Sequence, residues 1–289
     1  VTRGPALRIT AVGSATVQDL GRPGWAHLGV PTSGALDRSA SASANRALGN
    51  PDGAAVIEVV LGSLTVEAVG DLRICLAGAS CPGLAHGEPI LLRDGESLRL
   101  TTPHEGMRTY LAVAGGIDVP TVLGSRSWDS LSHLGPAPLG VGDELPVGPS
   151  LAHPDVATAA RPADATAARP FDGAVRLWPG PRAEWFTDAL THLVEHVWTV
   201  SADSNRVGLR LGGAPLLRTR DDELPSEGIV TGAVQIPHDG RPIVMLADHP
   251  TTGGYPVVAV VDPADLDHLA QVRPGDLLRF RRALVEGRG

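Results

Sequence analysis

The stretch LTVEAVGDLRICLAG (Leu64–Gly78) holds two short runs, LTVEAV and LRICLAG, on either side of Gly70-Asp71. The first alternates apolar and polar residues and the second is almost continuously apolar. Both are bounded by residues that punctuate regular structure, so each reads as a strand. The same pattern recurs along the chain as LRITAVG (7–13), SLRLTT (97–102), RTYLAVAG (108–115), AVRLWPG (174–180), HVWTVSA (196–202), PIVMLAD (242–248) and VVAVVD (257–262).

Helical periodicity is confined to three places. Leu36, Ala40, Ala44 and Leu48 share a face over 35–48, with Thr32 or Ser33 as the cap and Gly49-Asn50-Pro51 as the stop. Trp185, Phe186, Ala189, Leu190, Leu193 and Val197 form an apolar stripe over 182–197. A third helix opens at Asp262-Pro263-Ala264-Asp265, which supplies a cap, a proline at the first position and an acid two residues on. Many strands with few helices predict β-barrels or sandwiches rather than a doubly wound sheet.

A chain of 289 residues suits two domains. The segment LAHPDVATAARPADATAARPFDG (151–173) is rich in Ala, Pro and Asp and has the composition of a linker. It separates a first domain, 1–150, from a second, 174–289. RDGESLRL (93–100) and RPGDLLRF (273–280) share an Arg-x-Gly-acid turn leading into a strand. An internal duplication leaves such a match, and so does chance.

The formal charge of −8 sets the chain against nucleic acid and acidic membrane as partners. All 24 basic side chains counted as Lys or Arg are arginines. A Walker A loop and Schiff-base lysine chemistry are thereby excluded, as is attachment of biotin or lipoate to this chain. Cys75 and Cys81 are too few for a zinc site or a disulfide framework, and Cys75 reads as a buried apolar residue. VTRGPALRIT carries no apolar signal core, and no run of about 18 apolar residues occurs, so a soluble cytoplasmic protein is expected.

Chemistry-bearing motifs are sparse. His192, Glu195 and His196 match the H-x-x-E-H zinc pattern, but they also complete the polar face of a helix, and no metal site is expected. No G-x-S-x-G elbow occurs, and Ser226 reads as a turn serine. Two glycine-rich loops stand out. QDLGRPGWAHLGVPTSGALD (18–37) sets Asp19, Arg22, His27, Ser33 and Asp37 among its glycines and prolines. ADHPTTGGYP (247–256) sets Asp248, Thr251 and Thr252 before Gly253-Gly254, where positive φ, close ligand approach and a backbone anion nest are expected. Tight turns at barrel corners are the competing reading; clustering of polar groups with the glycines favours a ligand site.

These loops belong to six motifs: VQDLGRPGWAHLGVPTSGALD (17–37), ANRALGNPDGAAVIEVVLG (44–62), RTYLAVAGGIDVPTVLGSRS (108–127), SNRVGLRLGG (204–213), SEGIVTGAVQIPHDGRPIVMLADHPTTGGYP (226–256) and AQVRPGDLLRF (270–280). In this order they resemble the carboxyltransferase-like family of allophanate hydrolase subunit 2. That family includes the C-type subunit of the ATP-dependent 5-oxoprolinase, a Kip-type antagonist of a kinase inhibitor, and part of urea carboxylase. The resemblance implies a mainly β fold of two tandem cyclophilin-like β-barrel domains with a few short helices. It implies a sister chain, either allophanate hydrolase subunit 1 or the B-type chain of 5-oxoprolinase, with a lactam-utilisation subunit as a third component. It also implies a small amide substrate and ATP with Mg, or else biotin carried by another protein.

Roles follow from the same resemblance. Arg22 would bind a carboxylate, carbamate or phosphate, and Asp19 would orient it or take a proton. Ser33 and Asp37 would bind substrate beside a helix N-terminus near Ala35, with Asn45 and Glu58 bracing the loop. Arg206, Ser226 and Glu227 would approach from the second domain. Asp248 is placed with Asp19 and Arg22 as catalytic. Gln235, Thr251, Thr252, Gly253, Gly254 and Tyr255 complete a polar wall, and a domain cleft would gather all these loops. The implied activity is opening of 5-oxoproline to glutamate. The alternatives are biotin-dependent carboxylation of urea or a related amide, and non-catalytic binding of a Kip-type sister. His249-Pro250 and Trp128-Asp129 depart from the family pattern and bear on specificity.

Overall fold

The computed structural model describes residues 4–149, 173–220 and 222–284. The chain divides into two compact units, residues 1–22 with 33–170, and residues 23–32 with 171–289. The expected linker, 151–173, lies outside the described residues except for Gly173.

The first unit is a curved, half-barrel sheet. Its strands are β1 (Ala6–Gln18), β2 (Val56–Val69), β3 (Leu72–Gly78), β4 (Pro89–Leu92), β5 (Ser97–Leu100), β6 (Arg108–Val113) and β7 (Glu144–Pro146). They run in the order β4-β3-β6-β2-β1-β7, with β5 also on β2. Only Gly70 and Asp71 separate β2 from β3, yet β6 lies between them. The turn is strapped elsewhere: Gly70 N donates to Asp94 Oδ1 at 2.7 Å and Asp71 pairs with Arg93 at 2.8 Å.

β6 is buried at every position, because both faces of the sheet are covered there. Leu111 and Val113 enter the main core with Leu7, Ile57, Leu64 and Ile74. Tyr110 and Ala112 face the other way, toward Ala44 and Leu48 of the segment around α1 (Arg38–Ala47). Cys75 belongs to this second layer, and burial pushes its thiol up to about 11. The cap of α1 differs from expectation. Asp37, not Thr32 or Ser33, accepts from Ala40 N at 2.8 Å, and Gly34 at φ +97° turns the chain beforehand.

β1 and β2 bend together. Their register shifts between Ile9 and Ala11, opposite Thr65–Val66, and again between Val12 and Ser14, opposite Leu61, Gly62 and Ser63, which all have positive φ. Gly62 marks that bulge and obscures the fact that VIEVVL and LTVEAV form one strand.

The second unit contains β8 (Ala174–Pro179), β9 (Val197–Val200), β10 (Gly208–Gly212), β11 (Glu227–Gly228), β12 (Ala233–Gln235), β13 (Ile243–Met245), β14 (Thr252–Gly253), β15 (Val257–Val261) and β16 (Leu277–Arg282). Seven of these close a barrel in the order β10-β13-β12-β15-β8-β16-β9, while β11 and β14 form a separate ribbon. β16 and β8 pair in parallel, and the other barrel pairs are antiparallel.

The helix expected over 182–197 is broken in two. Ala183–Trp185 is a 3-10 turn, Phe186 is extended and bridges Arg218, and Asp188 has φ +46° before α2 (Ala189–Glu195) begins. Pairing with the neighbouring segment overrides the apolar stripe. The third expectation fares better: Asp262 Oδ1 accepts from Ala264 N at 3.0 Å, capping a 3-10 turn that continues into α3 (Leu266–Leu269).

The two Arg-x-Gly-acid turns have matching bonds. Glu96 Oε2 accepts from Arg93 N at 2.8 Å, and Asp276 Oδ2 accepts from Arg273 N at 2.7 Å. Gly95 and Gly275, both at positive φ, each donate to a strand carbonyl at 2.8 Å. Among the described residues, no helix is long and apolar enough to cross a membrane.

Gly34 is the tightest glycine of the first loop. A Cβ there would lie 2.8 Å from Gly21 N and from Leu20 C, at φ +97°. Gly34→Ala is expected to cost about 2–4 kcal/mol through left-handed strain and overpacking. Urea unfolding with an unchanged slope checks this.

Candidate functional site

The two ends of the first glycine-rich loop are tied down and largely buried, while residues 23–29 between them are mostly exposed. Asp19 Oδ1 accepts from Gly21 N at 2.7 Å and from the hydroxyls of Ser125 and Ser127, each at 2.6 Å. Its Oδ2 accepts from Arg126 N at 2.6 Å. Those four donors match the acceptor capacity of a carboxylate, so Asp19 staples residues 125–127 onto the end of β1. Arg22 is 1% exposed; its Nη2 donates to the Ser127 carbonyl and its Nε to the Val122 carbonyl at 3.4 Å. That placement makes Arg22 a buried brace of the 122–127 loop.

Ser33 and Asp37 are built in as well. Ser33 is fully buried and donates to the Trp128 carbonyl at 3.1 Å. Asp37 N donates to the Tyr110 hydroxyl at 2.8 Å, which donates to Glu58 Oε2 at 2.8 Å. Leu36 N donates to the same Glu58 oxygen at 3.0 Å, and Arg108 Nε lies 3.5 Å from Glu58 Oε1. Burial, reinforced by the charges of Glu58 and Asp37, holds the Tyr110 hydroxyl well above its ordinary range, so it stays a neutral link. The expected anion site at a helix start near Ala35 is not formed: α1 begins at Arg38, and Asp37 supplies its own carboxylate there.

The second unit gathers its residues differently. Arg206 and Asp248 form a bidentate pair, Nε to Oδ2 at 2.8 Å and Nη2 to Oδ1 at 3.0 Å, with Asp248 fully buried. The backbones join too, Asp248 N donating to the Arg206 carbonyl at 3.1 Å. Glu227 takes an ion pair from Arg182, with Nε at 3.3 Å from Oε2. The β11–β14 ribbon sets Glu227 opposite Gly253 and Gly228 opposite Thr252, and Ile229 N donates to the Thr251 carbonyl at 3.0 Å. Gln235 is buried and donates to the Tyr255 carbonyl at 3.2 Å. Tyr255 is 42% exposed and meets His238 edge-on at 6.0 Å. Ser226 and Gly254 are exposed beside the ribbon.

Gly253 and Gly254 do not serve as expected. Neither has positive φ, and Thr252-Gly253 is extended, so the loop forms no anion nest. Gly253 is needed for packing: a Cβ there would lie 2.6 Å from Ile229 Cδ1 and 3.2 Å from Gln235 Nε2. Two partners escaped the sequence reading, Arg182 and His238. Arg182 was absorbed into a helical stripe that does not form, and His238 has no local signal. The motif His192-x-x-Glu195-His196 places its two rings face to face at 4.0 Å, with His192 Nε2 on the Ala214 carbonyl and His196 Nδ1 on the His192 carbonyl.

Comparison with known proteins fits this architecture. The family described as carboxyltransferase domain, subdomain A and B, matches residues 28–282. The chain is 40% identical to the C subunit of Escherichia coli 5-oxoprolinase over 94% of its own length and 89% of that protein. It is 31% identical to urea amidolyase of Lachancea kluyveri over 95% of its own length and 17% of that protein. Among solved structures, TTHA0988 superposes with TM-score 0.81 at 36% identity, covering 97% of this chain and 56% of that one. Kluyveromyces lactis urea carboxylase superposes with TM-score 0.85 at 28% identity, covering 97% of this chain and 28% of that one. The chain belongs to the carboxyltransferase-domain family. Its relatives are parts of enzymes: 5-oxoprolinase subunits at nearly full length, and urea amidolyases of which it spans about a sixth.

Asp248→Ala leaves the Arg206 guanidinium without its buried partner. It is expected to cost about 3–5 kcal/mol in urea unfolding. His249, beside it, is held neutral: burial lowers its pKa below the ordinary 6.5, against the pull of the Pro250 carbonyl and Asp248. A depressed folded-state value means that the unfolded chain takes the proton first. The wild type therefore loses stability relative to His249→Gln as pH falls below about 6.5, with no pH-dependent difference from this group above it. Paired unfolding curves at pH 5.5 and pH 7.5 check the sign.

Proposed function

We propose that the chain is a C-type subunit of an ATP-dependent 5-oxoprolinase, opening 5-oxoproline to glutamate together with a sister B-type chain and a lactam-utilisation subunit in the cytoplasm. The observation that carries this is the 40% identity over 89% of a relative named as the C subunit of 5-oxoprolinase. A second relative of that name, from Haemophilus influenzae, matches at 34% over 89% of its length. The second unit's polar loops suit a small amide, which offers a carbonyl acceptor and an N–H donor. Arg206–Asp248 is a rigid charged floor, and Glu227, Gln235 and Tyr255 surround the adjoining ribbon.

ATP with Mg belongs, on this reading, to the assembly and not to this chain. The chain has no lysine for a phosphate loop, and neither Gly253 nor Gly254 has the left-handed backbone that a nest needs. Biotin could reach it only on another protein, for the same lack of lysine. Carboxyl transfer to urea is the second reading, supported by the TM-score of 0.85 with a urea carboxylase.

Reconstitution of the chain with its sister and lactam-utilisation subunits tests the proposal. ADP and glutamate should appear together from ATP and 5-oxoproline, and only when all three are present. An intact complex that releases no ADP in response to 5-oxoproline contradicts it. Carboxylation of urea from a biotinylated carrier then establishes the second reading.

A further inference from the structure

We infer that Arg218, with His238 and Tyr255, forms the subsite that takes the carboxylate of 5-oxoproline. The inference rests on the function proposed above and deepens it, because the carboxylate is the group that 5-oxoproline has and urea lacks.

Arg218 is held in place by its own surroundings. Its guanidinium carbon lies 5.0 Å from the centre of the buried Trp185 ring. Phe186 and Arg218 form a backbone bridge, and the amide and hydroxyl of Thr219 both donate to the Trp185 carbonyl, at 2.8 and 3.0 Å. Arg220 lies against the same ring at 5.1 Å. The two arginines differ in counter-charge. Arg220 pairs with Asp222 at 2.9 Å. Arg218 meets no carboxylate among the described residues. Its Nη2 donates to the Asp222 backbone carbonyl at 2.6 Å, its Nη1 lies 3.5 Å from His238 Nδ1, and its Nε is enclosed without an acceptor. Both Nη contacts are exposed. Two guanidinium groups thus share one carboxylate, and one positive charge is left at the surface.

Two neighbours add donors to this charge. A guanidinium only donates, so His238 Nδ1 accepts from Arg218 and the ring hydrogen is on Nε2. Neither Nε2 nor the Tyr255 hydroxyl makes a hydrogen bond among the described residues. His238 meets Tyr255 edge-on with 6.0 Å between ring centres, and Tyr255 is 42% exposed. Gln235 Nε2 donates to the Tyr255 carbonyl at 3.2 Å and stands 3.2 Å from where a Gly253 Cβ would lie. The cluster therefore adjoins the 247–256 loop. Arg218, the His238 N–H and the Tyr255 O–H are all donors, and a carboxylate, which only accepts, is their complement. The planar fork of arginine matches its two oxygens. Arg218 binds and orients the substrate by this end and takes no part in making or breaking bonds at the lactam.

Two measurements test this, on the reconstituted complex and on the full chain. In the complex, Arg218→Ala should raise KM for 5-oxoproline about 100-fold and leave kcat within about threefold. Arg218→Lys, which keeps the charge without the fork, should recover about tenfold of that loss. A KM within about twofold of wild type in Arg218→Ala overturns the inference. On the full chain, the Arg218 Nε–H NMR signal, assigned by its loss in Arg218→Lys, should shift with 5-oxoproline. It should not shift with 2-pyrrolidinone, the same lactam without its carboxylate, or with inorganic phosphate. An equal shift with either of these overturns the assignment to the substrate carboxylate. A wild-type complex with no 5-oxoproline turnover overturns the proposed function, whereas turnover without any shift of the Arg218 signal overturns the inference alone.

Discussion

One carboxylate ties the end of β1 to the 125–127 segment. Asp19 directly follows β1, and its two oxygens draw in Gly21, both serines of the 125–127 segment and the Arg126 amide. Hydrogen bonds to a charged acceptor contribute about 1.5–3 kcal/mol each, and leaving any of these buried donors unmet would cost a similar amount. Arg22 completes the closure by donating to carbonyls of the same 122–127 segment. Gly34 can then lie directly on the Leu20–Gly21 backbone, which brings Ala35 N onto the Asp19 carbonyl at 2.9 Å. The position of Asp37, and so of α1, depends on that crossing.

Charge is used differently around the two glycine-rich loops, although elsewhere the first unit also pairs carboxylate with guanidinium, as in Asp71–Arg93. In the first, the carboxylates of Asp19, Asp37 and Glu58 are taken up by backbone amides, hydroxyls and Arg108. Such groups fix a loop. In the second, carboxylate meets guanidinium directly, Asp248 with Arg206 and Glu227 with Arg182, beside exposed Ser226, Thr252, Gly254 and Tyr255. Fixed charges bordered by exposed polar groups are the arrangement that small-molecule sites use, because they need no reorganisation when a dipole arrives. On the function proposed above, we place the amide substrate at the loops 226–229 and 247–256.

The strands were legible because their side chains alternate or are apolar throughout, as in LTVEAV, LRICLAG and RTYLAV, and because Gly, Pro and Asp end them. Those patterns report burial, which is local. Partnership is not local: nothing in VGDL says that β6 will run between β2 and β3. The stripe from Trp185 to Val197 has good helical spacing, yet bridging of Phe186 to Arg218 breaks it, a tertiary override that periodicity cannot carry. The two loops were recognisable as unusual from glycine beside charge. Which of them braces and which faces solvent was not, because an Asp that binds four donors of its own chain and an Asp paired with an Arg look alike in sequence. Arg182 and His238 were missed for the same reason, since each gains its role only through a partner distant along the chain.

Hydrogen–deuterium exchange on the assembled complex, with and without 5-oxoproline and ATP, tests this division of labour most directly. Added protection in peptides covering 226–229 and 247–256, with 18–37 and 122–129 unchanged, is the result expected. Protection confined to 18–37 and 122–129 would contradict it and return the ligand to the Asp19 and Arg22 loop.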